Sequence, residues 1–168
     1  MKIAFFDRDG TIIKDYADEE WKNIKHLEFF SDSFLTLREV LRRGYSIIVI
    51  TNQYIINEGI ITIEQYNDIT KQLIGKLSEH NIKLLDIFYC PHGREEGCNC
   101  IKPKTGMIQQ ALDKYPTINL NESFFVGDSI VDVKLAEEIN IKGFGIGVDY
   151  ISHTITKVDK LSDILEFV

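Results

Sequence analysis

The sequence predicts an α/β protein with three layers, in which a doubly wound parallel sheet of the Rossmann-like type lies between helices. Short apolar runs rich in β-branched and aromatic residues alternate with longer amphipathic segments, as buried parallel strands alternate with crossover helices. This strict alternation favours right-handed βαβ units. At 168 residues, we expect one domain spanning 1–168, because the chain is too short for a second large domain.

Five apolar runs are the expected strands, and four amphipathic segments are the expected helices. The runs are IAFF (3–6), YSIIVI (45–50), LLDIFY (84–89), SFFVG (123–127) and IKGFGIGV (141–148). The segments are 32–43, 62–80, 106–115 and 130–139. Gly44 suits the end of the first helix, and Thr62 with Gln65 has capping-box spacing at the start of the second. Residues 161–168 are expected to form a short docking helix.

Composition limits the classes of partner. The net charge is −7, and the sequence has no cluster of Lys and Arg of the kind that binds a nucleic-acid backbone. We therefore expect no nucleic-acid partner. The apolar run at the N-terminus is too short for a signal peptide or a membrane span, so we expect no membrane association and a cytoplasmic location. In that compartment the three cysteines should be reduced. We also expect a monomer.

The residues that follow each strand are the candidate site residues, because ligands of open parallel sheets bind beyond the carboxyl ends of the strands. D-R-D-G-T follows the first strand, and its Asp7 and Asp9 can point into one crevice, although an Asp-Gly pair is also common in polar turns. Two such carboxylates raise each other's pKa and gain from a divalent cation such as Mg²⁺. One of them can then attack phosphorus while the other moves a proton.

Polar residues also follow the later strands. Three of them follow the second strand: Thr51, Asn52 and Gln53. Their hydroxyl and amides can hydrogen-bond phosphoryl oxygens, or they mark an ordinary strand exit. Lys102 comes after the third strand, and Asp128 and Asp132 come after the fourth, where they also suit a helix cap and a helix dipole. Because acid pairs, a hydroxyl and a lysine follow successive strands, the set indicates a functional site.

The loop CPHGREEGCNC, residues 90–100, contains all three cysteines and one histidine. The candidate metal ligands are Cys90, His92, Cys98 and Cys100. Three thiolates and an imidazole form a tetrahedral set of the type that zinc favours in structural sites. Cysteines that merely pack are the alternative, and a redox pair is disfavoured because no C-x-x-C is present. Four protein ligands leave no position for water, so we expect a structural zinc that sets the path of residues 101–103.

As a set, these motifs resemble the four motifs of the haloacid dehalogenase superfamily of aspartate-nucleophile phosphotransferases, over residues 3–148. The resemblance implies that Asp7 forms an aspartyl-phosphate, and that Asp9 protonates the leaving alcohol and then assists the attacking water. Thr51 and Lys102 would hold the transferring phosphoryl group. The implied Mg²⁺ ligands are Asp7, the Asp9 carbonyl and Asp128, with Asp132 as a supporting carboxylate behind them.

Within the superfamily, the cysteine loop resembles that of the small subfamily IIIA branch that contains D-glycero-D-manno-heptose 1,7-bisphosphate phosphatase and histidinol-phosphatase. In that branch this loop binds zinc, and the resemblance implies no large cap domain. The five residues between His92 and Cys98 resemble the compact histidinol-phosphatase loop, whereas residues 51–66 and 102–107 resemble the heptose enzymes. The branch implies a small phosphorylated metabolite as substrate, most simply a sugar phosphate. The expected substrate contacts are Thr51, Asn52, Gln53, Ile101 and Lys102.

Two positions depart from the heptose pattern. Ile101 stands where an arginine usually precedes the motif lysine, and Ser129 stands where a lysine often follows the motif aspartate. Both changes remove a cation on the substrate side, and we expect them to weaken recognition of a second phosphate. Histidinol-phosphatase is the alternative function. A polynucleotide 3′-phosphatase and a non-catalytic, zinc-stabilised binding module are the further alternatives.

Overall fold

The computed structural model describes all 168 residues and contains one sheet of six strands, in which every neighbouring pair is parallel. The strands are β1 (Ile3–Phe6), β2 (Ser46–Asn52), β3 (Asp86–Cys90), β4 (Phe124–Gly127), β5 (Lys142–Ile146) and β6 (Ile155–Val158). The α-helices are α1 (Ser33–Arg42), α2 (Ile63–Glu79), α3 (Gly106–Lys114) and α4 (Ile130–Glu138). The spatial order β3-β2-β1-β4-β5-β6 is that of a doubly wound sheet, so the predicted fold class is confirmed.

Helices cover both faces of the sheet, and each face has its own core. Side chains alternate along a strand, so Ala4 and Phe6 of β1 belong to a cluster of 22 buried residues on the side of α1 and α2. Ile3 and Phe5 belong to a second cluster of 16 buried residues on the side of α3 and α4. The central strands are therefore almost wholly apolar until their carboxyl ends, where the polar residues begin.

The observed elements differ from the predicted ones mainly at their ends. β2 extends to Asn52, so Thr51 and Asn52 lie within the strand and not after it. The sequence does not predict β6, because its four residues, ITKV, are too few and too mixed to form an apolar run. The expected C-terminal docking helix is a short 3-10 helix, Leu161–Glu166, and two more such helices lie at Asp18–Asn23 and Leu120–Glu122.

The topology determines where a ligand can bind. β1 lies in the middle of the sheet between β2 and β4, with α1 and α2 packed on one face and α3 and α4 on the other. The carboxyl ends of these central strands border one crevice, at the point where the crossover direction reverses. No helix combines the length and the apolar character that crossing a membrane requires.

Candidate active site

A cleft of about 370 Å³ opens at the carboxyl ends of the central strands. It brings together most of the residues that the sequence indicated: Asp7, Asp9, Asn52, Gln53, Ile101, Lys102, Asp128 and Ser129. Thr51 and Asp132 are buried behind the cleft wall. A larger groove of about 770 Å³ lies between α2 and the outer strand β3, but it contains none of these residues.

The ammonium group of Lys102 lies at the base of the cleft. Its Nζ donates to Asp7 Oδ1 at 2.6 Å, to Asp132 Oδ1 at 2.7 Å and to the main-chain oxygen of Ile50 at 2.9 Å. Burial lowers the pKa of Lys102, but the charges of Asp132 and Asp7 outweigh burial and the net shift is upward. The lysine is therefore charged, and it bridges acids that follow two different strands.

Three carboxylates meet around this lysine. Oxygen atoms of Asp7, Asp128 and Asp132 lie within 4.8 Å of one another, whereas the Asp9 carboxylate is not part of the cluster. Burial is the main cause that raises the pKa of Asp7 well above its ordinary value, with Lys102 opposing it. Burial, and then the charge of Asp132, raises the pKa of Asp128 to about 6. One lysine leaves this acidic set only partly neutralised, so its oxygen donors fit a hard divalent cation such as Mg²⁺.

Two glycines allow the acids to approach one another. Gly10 has a φ of +84°, and a Cβ atom there would lie 2.0 Å from Oδ2 of Asp128. At Gly127, a Cβ atom would lie 2.3 Å from Cβ of Asp132. Any larger residue at either position would displace a carboxylate, so both glycines are required by the packing of the site.

Arg8, between the two motif aspartates, holds the side chain of Asp9. The Nε and Nη2 atoms of Arg8 donate to the two oxygens of Asp9 at 2.7 and 2.9 Å, and its buried guanidinium lies 5.6 Å from the ring centroid of Trp21. On the other side, Nε2 of Gln53 donates at 2.8 Å both to Asp9 Oδ2 and to Thr51 Oγ1. The sequence predicted no role for Arg8; its place between the two motif aspartates, two residues after a buried strand, indicates that it lies near the site but not which way its side chain points.

Asp132 has a second partner besides Lys102. Its Oδ2 accepts the main-chain N–H of Ser129 at 3.1 Å and the Ser129 hydroxyl, which forms a capping box at the start of α4. Ser129, and not Asp128, is the residue that caps this helix. Asp128 is therefore not the helix cap that the sequence allowed. Asp132 contacts both the start of the helix and the lysine.

The outer part of the cleft is formed by the loops after β1, β2 and β3. Trp21 is buried and donates from Nε1 to Asp15 Oδ1 at 3.0 Å, and the Tyr54 hydroxyl donates to Asp18 Oδ1 at 3.0 Å. All four residues line the cleft, as does Arg94 from the cysteine loop. Residues 16–27 thus contribute to core packing through Trp21 and to the cleft wall through Asp18.

The four candidate metal ligands of the cysteine loop surround one point. The Sγ atoms of Cys90 and Cys100 are 3.0 Å apart, and Nδ1 of His92 is 3.1 Å from Cys100 Sγ. All four donor atoms lie within 4.8 Å of one another, and no disulfide joins the thiols. Burial opposes ionisation of Cys98, but main-chain N–H groups of Ile101 and Cys100 donate to its sulfur and lower its pKa to about 7. The set can hold a tetrahedral metal ion such as zinc.

The cysteine loop leads directly to Lys102. The main-chain N–H of Lys102 donates to Asn52 Oδ1 at 2.8 Å, and Asn52 Nδ2 donates back to the carbonyl of Lys102 at 3.3 Å. Ile101 lies between Cys100 and Lys102 and lines the cleft. Asn52 on one side and the cysteine cluster on the other therefore fix the main chain that carries the lysine.

Replacing Lys102 with methionine is expected to lower the free energy of unfolding of the metal-free protein by about 3–5 kcal/mol, because Asp7 and Asp132 would remain buried without their cation. Urea titration followed by circular dichroism measures the change. Lys76→Met on α2 is the matched control, since Lys76 is exposed and its pair with Glu79 contributes little. Equal stability losses in the two variants would contradict the bridging role.

Comparison with known proteins agrees with this arrangement. A family model described as polynucleotide kinase 3 phosphatase matches residues 2–144. The D-glycero-alpha-D-manno-heptose-1,7-bisphosphate 7-phosphatase of Photorhabdus laumondii is 36% identical over 148 residues, covering 84% of this chain and 79% of the relative. The histidine biosynthesis bifunctional protein HisB of Campylobacter jejuni is 31% identical, covering 88% of this chain and 42% of that protein.

A solved structure gives the same fold. The D,D-heptose 1,7-bisphosphate phosphatase from B. bronchiseptica, crystallised with magnesium and phosphate, superposes with a TM-score of 0.84 at 22% identity, covering 99% of this chain and 97% of the other. The uncapped parallel sheet, the strand-end cleft and the related sequences define a phosphatase, that is, a phosphoric monoester hydrolase. The chain belongs to the haloacid dehalogenase superfamily, in the group that contains the heptose 1,7-bisphosphate phosphatases.

Proposed function

We propose that this protein is a Mg²⁺-dependent sugar-phosphate phosphatase that removes the 7-phosphate of a D-glycero-D-manno-heptose 1,7-bisphosphate. The observation that carries the proposal is the buried ammonium of Lys102, which contacts Asp7 at 2.6 Å in the cleft and so offers a cation beside a carboxylate nucleophile. The 36% identity to the Photorhabdus laumondii enzyme supports the substrate class.

In the proposed reaction, a carboxylate oxygen of Asp7 attacks phosphorus, the bond to the leaving oxygen breaks, and Asp9 gives that oxygen a proton. Water then attacks phosphorus in the aspartyl-phosphate and gives a proton to Asp9. Inorganic phosphate leaves, and Asp7 is restored. Lys102 and the Thr51 hydroxyl are proposed to hold the phosphoryl oxygens. Gln53 donates hydrogen bonds to both Thr51 and Asp9, and so fixes the positions of these two side chains relative to each other.

We propose that Asp7, the main-chain carbonyl of Asp9 and Asp128 hold Mg²⁺. The partly neutralised acidic cluster supports this assignment, and the contacts of Asp132 with Lys102 and Ser129 favour a supporting role for that residue. When bound, Mg²⁺ supplies positive charge that offsets the charge of the phosphoryl group.

We further propose that the cysteine loop holds a structural zinc. The ligands are Cys90, His92, Cys98 and Cys100. All four are protein groups, so they complete a tetrahedron without water. Thiolate ligands persist in a reducing compartment, which supports a cytoplasmic location.

Histidinol phosphate is the second candidate substrate. The compact loop between His92 and Cys98 and the 31% identity to the Campylobacter jejuni HisB protein favour it. A 3′-phosphorylated DNA end, which the description of the matching family brings into consideration, is disfavoured by the net charge of −7.

A substrate comparison tests the proposal. Phosphate release is measured with Mg²⁺ present for heptose 1,7-bisphosphate, heptose 7-phosphate, histidinol phosphate and a 3′-phosphorylated oligonucleotide. We expect the highest kcat/KM with the heptose bisphosphate. A higher value for histidinol phosphate would establish the second candidate, and release from none of the four would contradict phosphatase activity on these substrates.

A further inference from the structure

The outer cleft offers one accessible cation, the guanidinium of Arg94. The only other cation that lines the cleft is Lys102, whose side chain is 2% exposed. Its three hydrogens contact Asp7, Asp132 and the Ile50 carbonyl, and its proposed ligand is the phosphoryl group at Asp7, so it does not serve a second anion. The side chain of Arg94 is 54% exposed. Arg94 is therefore the one accessible cation in the cleft for a second anionic group on a substrate bound at Asp7.

Glu58 and Tyr54 hold the side chain of Arg94 in place. Its Nε and Nη2 donate to the two carboxylate oxygens of Glu58 at 3.0 and 2.7 Å, and its main-chain N–H donates to Glu58 at 3.0 Å. The guanidinium lies 4.3 Å from the ring centroid of Tyr54. Nη1 makes no hydrogen bond, so a fixed pair of hydrogens is available to a ligand, and little rotamer entropy is lost on binding.

The acids that line the cleft influence where an anion can bind. Asp15 and Asp18 also line the cleft and repel an anion, so Arg94 is the exposed group there whose charge can offset theirs. Asp18 Oδ2 lies 3.5 Å from Arg94 Nη2, a long contact with a partly exposed carboxylate. An entering phosphate can replace it on the guanidinium. Ile101 and Ser129, which also line the cleft, carry no charge.

We propose that Arg94 binds the second phosphate of a bisphosphorylated substrate while the first phosphate lies at Asp7. The inference rests on the proposed phosphatase function and adds a residue that selects bisphosphates over monophosphates. Glu58 and Tyr54 are positioning residues in this scheme, because they orient the guanidinium without contacting the ligand.

The test compares Arg94→Gln with the wild-type protein on heptose 1,7-bisphosphate and on heptose 7-phosphate, which lacks the second phosphate. We expect kcat/KM for the bisphosphate to fall at least about tenfold more than kcat/KM for the monophosphate, since a charge-assisted hydrogen bond is lost only with the former. Arg94→Lys should restore part of the difference. Arg42→Gln is the matched control, because Arg42 is an exposed arginine paired with a glutamate on α1.

Each outcome separates the two proposals. Equal losses on the two substrates, or no loss on either, would overturn the role of Arg94 and leave phosphatase activity intact. A wild-type protein without preference for the bisphosphate would do the same. Absence of hydrolysis of both substrates by the wild-type protein would overturn the proposed function itself. Zinc content measured in each variant shows whether the loop has kept its metal.

Discussion

The Asp7→Asn variant is expected to lose more than about 1,000-fold in kcat on any phosphate ester that the wild-type protein hydrolyses. An amide nitrogen or oxygen does not replace the carboxylate as a nucleophile toward phosphorus, so no covalent intermediate forms. Lys102 keeps its contacts with Asp132 and Ile50, and the fold is therefore expected to survive the substitution. Phosphate release and rapid-quench detection of phosphorylated protein measure the two consequences.

Asp68→Asn is the matched control, because Asp68 is exposed on α2 and does not line the cleft. It should retain the wild-type rate. The circular dichroism spectrum and thermal midpoint of Asp7→Asn should confirm that the variant is folded. If a folded Asp7→Asn protein hydrolyses a generic ester at a rate near that of the wild type, the aspartyl-phosphate mechanism is wrong.

The Cys98→Ser variant is expected to lose zinc and phosphatase rate together. The loop between His92 and Cys98 contains glycines and charged residues and little apolar surface, so we expect the four ligands to add a restraint that the exposed contacts of Arg94 with Glu58 do not supply. Without them, Lys102 keeps Asn52 as a neighbour but loses the restraint on the preceding main chain. We expect the thermal midpoint to fall by roughly 10 °C. Elemental analysis, a thermal scan and kcat on the same sample measure these changes.

Glu95→Gln provides the control within the same loop, because Glu95 is exposed and is not one of the four ligands. It should keep both zinc and activity. Treatment of the wild-type protein with a zinc-selective chelator, followed by an assay with excess Mg²⁺, should reproduce the effect of Cys98→Ser. A zinc-free protein with unchanged kinetics would refute the idea that the loop positions Lys102.

The fold and the centre of the site are predictable from the sequence because they rest on periodicity and topology. Apolar runs separated by amphipathic segments define the parallel sheet, and its topology brings polar residues at successive strand ends to one crevice. Asp7, Lys102 and Asp128 accordingly lie together in the structure, and the four ligands of the cysteine loop converge. The roles of these residues in catalysis stay predictions.

The rest of the cleft depends on contacts between distant loops, which no local pattern specifies. Tyr54 and Asp18 are 36 positions apart, and Arg94 and Glu58 are also 36 apart. Their pairing follows from the paths of three loops over the strand ends. The contact of Arg8 with Asp9 is local, yet a sequence does not show whether an arginine turns inward or outward. A sequence likewise does not show how deeply a side chain near a strand end is buried, so the burial of Thr51 behind the cleft wall is not predictable.

The division of the cleft between buried strand ends and exposed loops has an evolutionary consequence. Lys102 and its acids lie in the packed interior, where nearly every substitution is costly, and purifying selection on them should be strong. Asp18, Tyr54 and Arg94 lie on surface loops, where exchanges cost little stability. Descendants of one such protein can therefore diverge in the metabolite they accept through a few rim mutations, while inheriting the same phosphoryl chemistry.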